Sequence, residues 1–198
     1  CLYGLDAVEG RCLHRATLEG PYYTVDNVQE NYNLPMGTRP DILMGDGSRV
    51  FMRLQAFDSQ LQPVKARPDL QPKNGFLDDS YFKRVPWTFR GGDYARLIVH
   101  DARSVYYIRM FDTLRALDPT VFFTPGRQGY LLFAKDLNGR RDAWRVRIPV
   151  RVRAMVLAGD RLVVAGPPDM VDPADPLGAF EGRQGGRLYV VNRTSGSI

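Results

Sequence analysis

The side chains of this sequence that could do chemistry are few and scattered. His14 and His100 have no cysteine or glutamate beside them at metal-ligand spacing, so both read as structural. Asp78 and Asp79 could offer paired carboxylates for proton transfer or for Ca²⁺. Adjacent residues in an extended segment point opposite ways, however, and a capping or turn role is favoured for this pair. Asp169, Asp172 and Asp175 recur every third residue in a Pro-rich loop, without the glycine and closing glutamate of an EF-hand. No Gly-x-Ser-x-Gly, His-Glu-x-x-His or Gly-x-x-x-x-Gly-Lys motif occurs. Cys1 and Cys12 leave a disulfide and two free thiols both open, with the thiols favoured. No catalytic residue and no metal ligand is assigned.

The sharpest local pattern lies over 144–154. Trp144, Val146, Ile148, Val150, Val152 and Ala154 alternate with Arg145, Arg147, Pro149, Arg151 and Arg153. In a strand this period of two puts the apolar set on one face and four arginines on the other. The apolar face makes the strand core architecture first. The arginine row is the one candidate binding stripe, able to grip a polyanion such as sulfated polysaccharide or lipid headgroups. The competing reading is a solvated face paired with carboxylates of a neighbouring strand. Stacking aromatics are missing from the row, so nucleic acid is not an expected partner. The same region explains the net charge of +5, because 139–154 holds six arginines and one acid while the other 21 basic and 21 acidic residues cancel.

Behind these residues stands a repeated β framework. Three apolar hairpins turn on Asp46, Asp101 and Asp160, which are 55 and 59 residues apart. Aspartate suits such turns because it can bond the backbone that follows it. The first two turns align without a gap, and the third is about two residues shorter. A second element recurs out of phase. It is a short strand and a polar turn closed by glycine, starting at Leu2, Tyr130 and Leu188. Residues 58–93 read as a long irregular stretch, and short helical turns are expected near Leu114 and over 177–180. Short strands, glycine-closed turns and a period of about 57 residues predict an all-β fold of four-stranded antiparallel β-propeller blades. With 198 residues the expectation is one partial domain forming an incomplete ring, with approximate blades at 1–57, 58–136 and 137–198. No apolar run exceeds about five residues, far short of a membrane span. The sequence opens at Cys1 without a leader, which reads as a processed or excised start.

The stretch Tyr3-Gly4-Leu5-Asp6 to Gly10-Arg11, and its copy ending at Gly139 and Trp144, resemble the pyrroloquinoline-quinone-type (PQQ-like) propeller repeat. The segment from Phe76 to Ser80 and the one from Val171 to Arg183 resemble a subgroup found in large secreted proteins of planctomycete-like bacteria. His14 stands where the repeat has its docking tryptophan, and Ala134-Lys135-Asp136 is an imperfect Leu-Asp-Ala. The resemblance implies that Trp144 docks one blade against the next. It also implies a non-catalytic binding or scaffolding segment of a larger periplasmic or extracellular protein, with the remaining blades as partners and no cofactor. Its alternative implication is a fragment of a quinoprotein dehydrogenase using PQQ and Ca²⁺ on alcohols or sugars. The adjacent cysteine pair of those enzymes has no counterpart here.

Overall fold

Aspartate carboxylates nucleate the hairpins by standing in for backbone acceptors. Asp46 Oδ1 accepts the N–H groups of Ser48 and Arg49 at 3.0 and 2.8 Å. Asp101 Oδ1 accepts those of Arg103 and Ser104 at 2.7 and 2.8 Å. Each therefore closes a four-residue loop between paired strands. Asp160 works differently. Its hairpin turns on Gly159 and Asp160 alone, with Ala158 opposite Arg161 and Gly159 at φ +59°. That is the two-residue geometry which puts glycine first.

In the computed structural model, residues 1–18, 42–52, 55–72, 87–109, 129–137, 139 and 141–198 are described. The chain is all-β and divides into two compact units, Cys1–Val85 and Pro86–Ile198. Among the described residues the one helix, α1, is Gly178–Glu181, within the expected 177–180 turn and one residue beyond it. Asp78, Asp79, Leu114 and Arg140 lie outside the described residues, as does the 76–82 stretch.

The first unit opens with a hairpin of β1 (Leu2–Leu5) and β2 (Cys12–Ala16). A four-stranded antiparallel sheet follows in chain order: β3 (Met44–Gly45), β4 (Val50–Met52), β5 (Gln55–Phe57) and β6 (Pro63–Val64). A further short strand, β7, is Leu70–Pro72. Leu2, Ala16, Phe57 and Leu61 form the buried cluster, so the inward face of β1–β2 packs against residues at the end of β5.

The second unit begins with a hairpin, β8 (Trp87–Phe89) and β9 (Tyr94–Ala95). Next comes a four-stranded antiparallel sheet of β10 (Leu97–His100), β11 (Ser104–Arg109), β12 (Tyr130–Asp136) and β13 (Asp142–Ile148). A three-stranded antiparallel sheet completes it: β14 (Ala154–Ala158), β15 (Arg161–Gly166) and β16 (Arg187–Asn192). Alternate residues of both sheets meet in one core. Tyr106, Ile108, Leu132, Ile148, Leu162, Val164 and Val191 are all at most 1 % exposed. At roughly 1.5–3 kcal/mol per large side chain, this core is the main source of stability.

Small antiparallel sheets in chain order are compatible with propeller blades. The details differ from the expectation in three ways. Only two sheets have four strands. The sheets cross the expected limits, since β3–β6 spans 57/58 and β10–β13 spans 136/137. The supposedly irregular 58–93 stretch contains the short strands β6, β7 and β8.

Candidate functional site

The arginine row was expected on one strand face, and the structure corrects this. β13 ends at Ile148, where Pro149 supplies no N–H to continue a ladder. The chain then crosses to the next sheet. Arg151 and Arg153 donate their backbone N–H groups to Pro167 and Ala165 carbonyls, both at 2.8 Å. The apolar alternation survives, with Ile148, Val150 and Val152 fully buried. The arginines, however, part company. Arg145 is exposed and binds Asp142 through Nη2 at 2.7 Å. Arg147 donates to the Gly129 carbonyl at 3.1 Å. Arg151 is buried against Asp169, Nε to Oδ1 3.2 Å. Arg153 lies over the Phe180 ring at 5.0 Å and donates to the Phe180 carbonyl. Each of the four has a protein partner.

The three aspartates at spacing three are likewise separated by their contacts. Asp169 holds Arg151, Asp172 accepts the Ala174 N–H at 2.9 Å, and Asp175 holds Arg183. Hydrogen bonds from Arg183 come first among the causes that keep the Asp175 carboxyl below its usual range. Among the described residues no group of three or more His, Cys, Asp or Glu is placed to hold a metal ion. His100 stacks at a tilt on Phe89, 4.8 Å between ring centroids, and His14 lies opposite Gly4 in the β1–β2 hairpin. Cys1 and Cys12 are exposed free thiols.

Convergent polar groups meet instead at one end of the second unit. A cleft of about 490 Å³ lies between the β10–β11 turn, the start of β13 and the turn after β16, lined among others by Asp101, Arg103, Asp136, Trp144 and Arg193. Trp144 is half-buried, tilted against Tyr106 with ring centroids 6.0 Å apart. Its indole N–H donates to the Arg193 carbonyl at 2.8 Å. A Cβ on Gly196 would sit 2.5 Å from the indole, so the ring rests on a glycine at φ +74°. The Arg193 guanidinium binds Asp101 and donates to the Gly159 carbonyl at 3.0 Å. Burial pulls the Arg193 pKa down, and Tyr106 and Asp101 more than restore it.

This geometry favours joining over catalysis. Backbone N–H groups of Arg103 and Ser104, with Arg193, hold the Asp101 carboxyl below its usual range. A carboxylate with both oxygens engaged and a depressed pKa is a poor general base near neutral pH. On the opposite face of the four-stranded sheet a second charged group is equally occupied. Asp93 is buried enough to raise its pKa, yet Lys135 and Arg109 lower it overall. Arg109 itself is sandwiched between Tyr94 and Phe133, 4.7 Å from each centroid.

Sequence reading did not find Arg193 or the Arg151–Asp169 pair. Arg193 follows the polar residue that opens a repeated turn, where the first copy has Ala7, so the repeat gives it no signal. Among the described residues no helix is long and apolar enough to cross a membrane. Comparison with known protein families, curated proteins and solved structures gives no match for this chain.

Proposed function

We propose that the chain is a non-catalytic segment of a PQQ-like β-propeller, part of an incomplete ring, which serves as a binding or scaffolding module in a larger secreted or periplasmic protein. The observation that carries this reading is the joint between two successive sheets. Trp144, on the last strand of one sheet, is seated on the glycine-closed turn that follows the third strand of the next. The PQQ-like repeat implies this tryptophan at this position. Around it, the charged groups of the cleft spend their hydrogen bonds on one another and on the backbone. That is the chemistry of a fixed joint.

The direct test adds PQQ with Ca²⁺ to the chain, supplies a panel of alcohols and aldoses, and follows reduction of an acceptor dye. The reading expects no saturable turnover. Saturable, Ca²⁺-dependent dye reduction would overturn it in favour of a quinoprotein dehydrogenase. Denaturant unfolding of Trp144→Ala supplies the positive arm, because a joint must lose stability when its indole is removed.

A further inference from the structure

The turn that receives Trp144 has a twin in the first unit, and the twin stands open. In the 192–197 turn, Asn192 Oδ1 accepts the N–H groups of Thr194 and Ser195 at 2.9 and 3.1 Å. The Gly196 N–H bonds the Asn192 carbonyl, and the Asn192 N–H bonds the Ser197 carbonyl. The 6–11 turn repeats every bond: Asp6 Oδ1 accepts from Val8 and Glu9, Gly10 donates to the Asp6 carbonyl, and Asp6 donates to the Arg11 carbonyl. Gly10 has φ +69° against +74° for Gly196. Yet a Cβ on Gly10 would meet no described atom within 4 Å, whereas on Gly196 it would strike the indole.

The strands leading into the two turns carry the same difference. Tyr3 and Leu5 stand three and one residues before Asp6, as Tyr189 and Val191 stand before Asn192. Tyr189 and Val191 are packed in the core beneath the sheet that supplies Trp144. Tyr3 and Leu5 are each 57 % exposed, and Leu13 on the same face of β2 is 48 % exposed. The other face of β1–β2 is already packed, through Leu2 and Ala16.

We infer that the Tyr3–Leu5–Leu13 face, with the 6–11 turn at its end, is a docking surface for an antiparallel sheet that carries a tryptophan. This rests on the partial-ring reading above, and it places the occupant in the same protein but outside residues 1–198. The occupant is defined by the second unit itself. Its tryptophan lies on Gly10 as Trp144 lies on Gly196, and its indole N–H donates to the Ala7 carbonyl, the counterpart of Arg193. Its alternate apolar residues cover Tyr3 and Leu5 as the four-stranded sheet covers Tyr189 and Val191.

The test titrates the isotope-labelled chain with a cyclised peptide of residues 130–148, which reproduces the β12–β13 hairpin and its Trp144. The expected result is saturable shifts of the Tyr3, Leu5, Ala7, Gly10 and Leu13 amides. They should weaken at least tenfold, about 1.4 kcal/mol, with a Trp144→Ala peptide or with a Gly10→Val chain. Equal binding by the Trp144→Ala peptide would overturn the inference. So would the lack of any shift at millimolar peptide. A negative titration in a chain that also shows no PQQ-dependent turnover removes this docking surface and leaves the scaffolding reading in place.

Discussion

The two units join their sheets with opposite solutions to one steric problem. In the second unit a large side chain, Trp144, meets a turn reduced to glycine at Gly196. The first unit reverses the sizes. His14 occupies the tryptophan position of the repeat, and the left-handed position of the 58–62 turn is Leu61, at φ +59°. Asp58 organises that turn in the usual way, accepting the Gln60 and Gln62 N–H groups, both at 2.9 Å. Leu61 is 7 % exposed and buried with Leu2, Ala16 and Phe57. Gly4 makes room for both partners, since a Cβ there would lie 3.3 Å from His14 and 3.6 Å from Leu61. Volume removed from the strand is returned by the turn, at the expense of a left-handed leucine that costs roughly 1–2 kcal/mol. What is preserved is the filled joint, not the residue that fills it.

Breaking the larger joint should have the largest effect. Trp144→Ala removes a half-buried indole and its hydrogen bond, and should cost about 3 kcal/mol in a denaturant melt. Gly196→Ala should cost about 2–3 kcal/mol, because left-handed strain and the clash with the indole add. Gly10→Ala has nearly the same φ and open space around it, so it should cost only about 1 kcal/mol. If the two glycine variants lose equal stability in parallel melts, the indole contact contributes nothing.

The size exchange in the first unit can be tested by reversing it. His14→Trp alone should destabilise, because Leu61 and its neighbours already fill the space. Adding Leu61→Gly should restore part of the loss, with a coupling of about 1–2 kcal/mol in a double-mutant cycle. Strict additivity would mean that the two positions do not share one joint.

The smallest effect separates the turns by acid. Backbone N–H groups of Glu9 and Val8 hold the Asp6 carboxyl below its usual range. Asn192 makes the same bonds with an amide that does not titrate. A depressed folded pKa gives stabilisation that is present above the unfolded value, about 4, and is lost as pH falls through the folded one. Asp46, held mainly by the Ser48 N–H, sits at about 2 and marks the lower end of that window. Hydrogen exchange should therefore show Val8 and Glu9 losing protection below about pH 4, while Thr194 and Ser195 keep theirs.

Much of this framework was legible because it is local. Asp46 and Asp101 are separated from the shorter Gly159–Asp160 turn by chain spacing alone, and the structure shows four-residue and two-residue loops at those places. The likeness of the 2–11 and 188–197 stretches was visible residue by residue. Other features depend on partners distant in the chain. Nothing beside Arg151 announces Asp169, and period two alone would have exposed an arginine that the chain buries as it passes between sheets. Pro149 was the one local sign that the row would break. Leu61 could not be read as left-handed, because leucine adopts that region only when packing compensates for the strain. Strand counts per sheet escaped for the same reason, since pairing is decided by neighbours across the sheet.

Hydrogen exchange of Trp144→Ala tests the joint most directly. If Trp144 docks one sheet on the next, its removal should speed exchange in the 192–197 turn and in β16, 49 residues away in sequence at the Arg193 contact. The β12–β13 ladder that carries the residue should change less. Faster exchange confined to β12 and β13, with the turn untouched, would show that the indole stabilises only its own sheet and would contradict the account.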